Sequence, residues 1–179
     1  MMHRIFVAIN LPEDVKDQLV SYQNKIDSLF QPPTPIRWTK KDNLHITLEF
    51  LGNLSEDELM KVCQDTEEFA KNHKPFTITL DKISYGPPYQ NKFGTGQAPK
   101  LPRMIWVSGE KIAELNLVPH ITLGRIKMWE FRQIEPDERP DVSREIGLSF
   151  EINSLEVMES QLKKVGPDYT ILESCPLKN

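Results

Sequence analysis

The sequence predicts an α+β fold, on three observations. Short runs rich in β-branched and aromatic residues alternate with two amphipathic stretches of helical period. The order in the first half is strand, helix, strand, strand, helix, strand, and the second half is a partial echo made mostly of strands. That order suggests helices laid on one face of a largely antiparallel sheet.

Residues 4–11 (RIFVAINL) read as a buried strand. In 13–30 the apolar residues Val15, Leu19, Tyr22, Ile26 and Leu29 recur at helical steps, Pro12 stands where a helix start tolerates proline, and Pro32-Pro33 ends the run. Residues 36–38 and 44–51 are two further strands around the polar turn 39–43, with Gly52 closing the second. Ser55 followed by Glu58 is a capping-box signature, and Leu59, Val62, Cys63, Phe69 and Ala70 give the next helix its apolar face. Residues 75–83 return to strand alternation. Beyond a Gly/Pro-rich loop at 84–102, strands are expected at 104–108, 120–127, 148–153, 155–161 and 169–176. The polar stretch 128–144 reads as loop with one helical turn.

At 179 residues, with 39% apolar and 27% charged composition, the chain suits a single domain over 1–179 with a real core. Fourteen prolines are scattered through turns, and no linker divides the chain. A net charge of −4 argues against holding long nucleic acid by general electrostatics, which needs a concentrated Lys/Arg surface. No stretch approaches membrane-spanning length and the N-terminal apolar run is too brief for a signal segment, so the expectation is a cytoplasmic chain without a membrane partner. Cys63 and Cys175 have no CxxC or Cys/His ligand spacing and read as ordinary thiols.

The informative feature is a duplication. His45-Ile46-Thr47-Leu48 recurs identically as His120-Ile121-Thr122-Leu123, once in each half. In an extended strand, residues two apart share a face, so each copy presents an imidazole and a hydroxyl on one side and two apolar residues on the other. If the halves meet about a pseudo-twofold axis, two histidines face each other across one groove. That arrangement suits acid–base catalysis at a phosphodiester: a neutral imidazole takes a proton from water, while a protonated one gives a proton to the leaving oxygen. The threonine hydroxyls can bind non-bridging phosphate oxygens. A single HxT is ordinary strand composition, as Thr77-Ile78-Thr79-Leu80 shows; it is the matched pair that points to function.

Other residues carry weaker expectations. Zinc would need a third protein ligand; Glu49, two past Thr47, could share that face, but the reading is no metal. Arg125 falls on the face opposite Thr122 unless a bulge at Gly124 turns it; turned, its guanidinium would serve the phosphate. Trp38, Tyr85, Tyr89 and Phe93 are candidates to stack a nucleobase, although such residues are more often core or loop anchors. His3 and His73 have no partner motif and read as surface or filler residues.

The segments RIFVAINLP, RWTKKDNLHITLEFLGNL, PRMIWVSG, VPHITLGRIK and LEVMESQLKKVGPDYTILESCPL resemble, in that order, the two-histidine phosphoesterase superfamily, and within it the LigT-like RNA 2′,3′-cyclic phosphodiesterases. The resemblance implies a bilobal α+β fold: a pseudo-twofold arrangement of two antiparallel sheets with helices on the outer faces and a central cleft. It implies no metal, and with it come the expectations of no cofactor, of RNA ends or small cyclic nucleotides as partners, and of a monomer. The implied reaction opens a 2′,3′-cyclic phosphate to the 2′-phosphomonoester, with His45 as proton donor and His120 as proton acceptor. Thr47, Thr122 and Arg125 would bind substrate, and 2′-5′ RNA ligation is a permitted reverse reaction. Rival readings are a non-catalytic binder of phosphorylated RNA ends, or an enzyme acting on another cyclic phosphate or a 2′,5′-linked nucleotide. One departure stands out: 108–118 is too short for the helix and longer connection the family usually carries there. Either the second lobe is truncated, which would leave one sheet face exposed, or a mobile segment is missing from this sequence between 108 and 118.

Overall fold

The computed structural model describes residues 2–86, 101–164 and 166–178. Tyr89 and Phe93 lie outside the described residues. Two sheets are built entirely from antiparallel pairs. The first has the order β3-β1-β8-β9, from β1 (His3–Asn10), β3 (His45–Leu54), β8 (Ser154–Lys163) and β9 (Gly166–Pro176). The second has the order β2-β6-β5-β4-β7, from β2 (Ile36–Trp38), β4 (Phe76–Gly86), β5 (Met104–Gly109), β6 (His120–Ile126) and β7 (Arg144–Ile152).

The bilobal α+β architecture matches the expectation, but its lobes are not the two halves of the sequence. The strands β2 and β4 leave the first half for the second sheet, and the hairpin of β8 and β9 returns from the C-terminal end to pair with β1. The reason lies in β1, where Ile5 through Ile9 are all buried. A strand apolar on both faces needs neighbours on both edges and cover on both sides.

Cover on one side comes from α2 (Glu56–Lys71), which crosses β9, β8, β1 and β3. Its capping box forms as the sequence predicts: Ser55 N–H donates to Glu58 Oε2 at 2.7 Å, and Glu58 N–H to Ser55 Oγ at 3.4 Å. On the other side Phe6, Ala8 and Met158 form a small cluster with Tyr169 against it. The second helix layer is α1 (Glu13–Asp27), whose Val15, Leu19 and Ile26 join the main core with Ile36, Leu123 and Ile126 of β2 and β6. Ile46 and Ile121, the inner residues of the two repeated motifs, are both fully buried in this core. Truncating either to Ala would cost about 2–5 kcal/mol.

Residues 110–119 hold no helix. They fold back through paired backbone bonds between Ile112 and Leu117 at 2.7 and 3.2 Å, with Asn116 in the left-handed region at φ 49°. An apolar groove of about 370 Å³ stays open between this turn and α2, lined by Leu115, Leu117, Val62 and Phe69 among others. The expected helical turn after β6 is α3 (Met128–Arg132), pinned by buried Phe131. Among the described residues, no helix is long and apolar enough to cross a membrane.

Candidate active site

The repeated motifs fall on β3 of one sheet and β6 of the other, and together they line a cleft of about 190 Å³. His45, Thr47, His120 and Thr122 all open onto it. Each motif obeys the two-residue period: polar atoms face the cleft, and Ile46 and Ile121 face the core.

His45 is held from behind. The chain enters β3 through one 3₁₀ turn, Lys41–Asn43, whose Asn43 carbonyl lies 2.8 Å from His45 Nδ1. The Asn43 side chain is itself tied to the Pro167 carbonyl at 2.8 Å. A carbonyl only accepts, so Nδ1 carries a proton in either charge state, and Nε2 is the nitrogen left to exchange one. Nε2 sits 2.9 Å from Thr47 Oγ1. The ring packs between Phe6 and Tyr169, with 5.1 Å between centroids in each case and the tyrosine edge-on at 87°. Burial lowers the His45 pKa below its ordinary value, the Asn43 carbonyl opposes this, and the positive charge of Lys16, joined by that of His120 whenever it is protonated, pushes it lower.

His120 is exposed on the facing wall, its ring 5.2 Å from that of Trp106. Thr122 Oγ1 reaches the Met104 sulfur at 3.8 Å, a weak bond that leaves the hydroxyl free for a better partner.

Two bulges decide which further side chains enter the cleft. Between β5 and β6, Ile105 pairs with Gly124 but Trp106 pairs with Thr122, which leaves Leu123 as the extra residue. Across it the alternation is reset, so Arg125 faces the cleft with Thr122 and His120. The bulge is fastened by bonds to the two carbonyls at its centre. Leu123 O accepts from Thr39 N–H at 2.8 Å and Gln23 Nε2 at 2.9 Å, and Thr122 O accepts from Thr39 Oγ1 at 2.8 Å. Between β1 and β3, Val7 pairs with Glu49 and Ala8 with Thr47, so Leu48 is extra. Glu49 therefore turns to the α2 side and lines the apolar groove, not the cleft, which corrects the expectation that it could share the face of Thr47.

Of the stacking candidates, Trp38 lines the cleft, with its indole N–H committed to Asp27 Oδ1 at 2.7 Å. Tyr85 does not: its hydroxyl donates to the Pro140 carbonyl at 2.9 Å and its ring packs edge-on against Phe131, so it is a structural anchor. His3 bonds to Glu159 at 2.7 Å and His73 stacks on Phe69 at 3.9 Å, both away from the cleft. Sequence reasoning missed Arg37, Lys40 and Tyr169, which also line it. The alternation of Ile36 in and Arg37 out was readable, but nothing local names β6 as the partner of β2.

The family model of LigT-like phosphoesterases matches residues 9–92, which include the first motif. An RNA 2′,3′-cyclic phosphodiesterase of Methanocaldococcus jannaschii is 25% identical over 190 residues, covering 95% of this chain and 98% of that one. Its counterpart from Aquifex aeolicus is 27% identical over 160 residues, covering 76% and 79%. A crystal structure from Thermus thermophilus superposes with a TM-score of 0.77 at 26% identity, covering 98% of each chain. The chain is similar to LigT-like phosphoesterases, by the family model over residues 9–92 and by fold over nearly its whole length. The crystal structure of Escherichia coli LigT complexed with 3′-AMP, at 23% identity and a TM-score of 0.69 over 100% of each chain, shares the fold.

The cleft presents two imidazoles on opposing walls, a hydroxyl beside each, and two arginines, Arg37 and Arg125, on the His120 side. Among the described residues no carboxylate lines the cleft, and no group of three or more His, Cys, Asp or Glu side chains stands together.

Proposed function

We propose that the chain hydrolyses RNA 2′,3′-cyclic phosphate ends to 2′-phosphomonoesters without a metal. The observation that carries this is the convergence of two HxT motifs, from two different sheets, on one cleft that no carboxylate lines among the described residues. His120 takes a proton from water as the water oxygen bonds to phosphorus. The P–O3′ bond breaks, and His45 Nε2 delivers its proton to the departing 3′ oxygen. Thr47, Thr122 and Arg125 hold the non-bridging oxygens, where a guanidinium stabilises charge growing in the transition state. The Asn43 carbonyl keeps Nε2 as the transferring nitrogen, and the anionic phosphate offsets the burial that favours neutral His45. If a 5′-hydroxyl attacks in place of water, the same steps join two ends through a 2′,5′ linkage. The names of the relatives, and the 3′-AMP held by the Escherichia coli protein, support nucleotide ends as the ligand class. All the groups invoked come from one chain, as a monomer requires.

The test is turnover, in EDTA, of a 2′,3′-cyclic mononucleotide and of a short RNA ending in 2′,3′-cyclic phosphate. The wild type, His45→Ala and His120→Ala are compared, and the product isomer is identified. The expected result is a 2′-phosphate, with turnover lost in both variants. Loss of wild-type activity in EDTA overturns the metal-free mechanism, and tight binding without turnover points instead to an end-binding module.

A further inference from the structure

Three cations line the cleft: Arg37, Lys40 and Arg125. All three are exposed, and among the described residues none is ion-paired. Asp168 feels the charge of Lys40 but is itself bonded to Lys163. In a chain with 26 acidic and 22 basic residues, a cleft lined by cations and, among the described residues, by no carboxylate is a local separation of charge.

The arrangement costs energy in the free protein. Arg37 and Arg125 are direct cross-strand partners on β2 and β6, and like charges directly opposite on one sheet face repel. A cyclic phosphodiester brings one negative charge, and Arg125, on the strand of His120 and Thr122, is placed to meet it. Arg37 sits one strand further out, about 4.8 Å away, on the edge strand of its sheet. Beyond it a longer substrate can continue into solvent. In an RNA whose 3′ end carries the cyclic phosphate, the next phosphate lies on the 5′ side of that terminal nucleotide.

We propose that Arg37 and Lys40 form a second phosphate subsite, which engages the phosphate on the 5′ side of the nucleotide bearing the cyclic end. The inference rests on the hydrolase reading above. It makes the cleft selective for oligonucleotide ends, or for 5′-phosphorylated cyclic mononucleotides, over plain cyclic mononucleotides. It also reconciles the acidic chain with a polyanionic substrate: long RNA is not held along the surface, and only its last two phosphates are read.

The experiment compares kcat/KM for three substrates: a plain 2′,3′-cyclic mononucleotide, its 5′-phosphorylated form, and a dinucleotide ending in 2′,3′-cyclic phosphate. The wild type should prefer the last two by about tenfold or more, as expected for one or two charge-assisted contacts. That ratio should shrink with added salt. It should also collapse toward one in Arg37→Gln with Lys40→Gln, an exposed pair whose replacement leaves the core intact. A wild-type ratio near one overturns the subsite, as does a ratio that survives the double substitution. A preference for the dinucleotide alone overturns it too, because a nucleoside rather than a phosphate would then be recognised. Turnover of none of the three overturns the hydrolase reading itself, an outcome distinct from turnover without preference.

Discussion

The side-chain amide of Gln23 donates to the carbonyl of Leu123 at 2.9 Å, and Leu123 is the residue that the register of β5 against β6 leaves over. The same nitrogen donates to the Thr39 carbonyl at 2.9 Å. One buried side chain of α1 thus fastens both the β6 bulge and the end of β2, and the bulge is what brings Arg125 round to the cleft. Gln23→Glu keeps the shape but replaces two amide N–H donors with a carboxyl group that offers at most one O–H, so at least one of the two carbonyls loses its bond. The substitution should cost about 1–3 kcal/mol, the penalty for a buried acceptor left short, and should lower kcat/KM. Urea unfolding and steady-state kinetics together check this; wild-type values for both would remove Gln23 from the account.

The electrostatics of His45 give a pH prediction. Burial first, and after it the charge of Lys16 and that of His120 whenever it is protonated, hold the imidazole below its ordinary value against the pull of the Asn43 carbonyl. A cation nearby disfavours imidazolium, so Lys16→Met should raise the His45 pKa, and so should inorganic phosphate in the cleft. Because the folded pKa lies below the unfolded value of about 6.5, the unfolded chain binds more protons. This contribution to stability is present above pH 6.5 and lost as pH falls toward the folded value. Titration of the His45 ring signals by NMR decides the matter, and a midpoint above 6.5 would contradict the structure.

Tyr169 touches both Phe6 and His45 edge-on at 5.1 Å, and its ring closes one side of the cleft. Such aromatic contacts are worth about 0.5–1.5 kcal/mol beyond area burial. Tyr169→Phe retains the ring and should keep the His45 titration unchanged. Tyr169→Ala opens the cavity to water, relieves part of the desolvation, and should move the His45 midpoint upward with a loss of kcat. Equal titration curves for the two variants would show that the ring does not shield His45.

How much of this was readable beforehand depends on the range of the interaction. The two HxT faces follow from the strand period alone, and both motifs stand as that period requires. The capping box at Ser55 and Glu58 is equally local, and it formed. What the chain could not announce was strand pairing: that β2 joins β6, that β8 and β9 return to β1, and that one extra residue sits at Leu123 and another at Leu48. Those bulges reverse the alternation downstream, which is why Arg125 enters the cleft and Glu49 leaves it. The cleft cations Arg37 and Lys40 were invisible for the same reason, since their functional neighbour lies more than eighty residues away in sequence.

Gly124 allows the strictest test of this long-range fit. A Cβ there would lie 2.7 Å from Ile36 Cγ2 and 2.9 Å from Trp38 Cε3, closer than side chains pack. Neither neighbour can yield easily, because Ile36 is buried in the main core and Trp38 is held by its bond to Asp27. The relief must come from β2 as a whole, three residues long and paired, among the described residues, only to β6. Gly124→Ala should therefore cost about 1–3 kcal/mol as overpacking, and by displacing β2 it should move Arg37 out of register with Arg125. Discrimination between 5′-phosphorylated and plain cyclic mononucleotides should fall by a larger factor than kcat/KM for the plain substrate, because His45 and Thr47 stand on the other sheet. A thermal melt and the two-substrate ratio measure the two consequences separately, and wild-type values for both would mean that β2 does not set the position of Arg37.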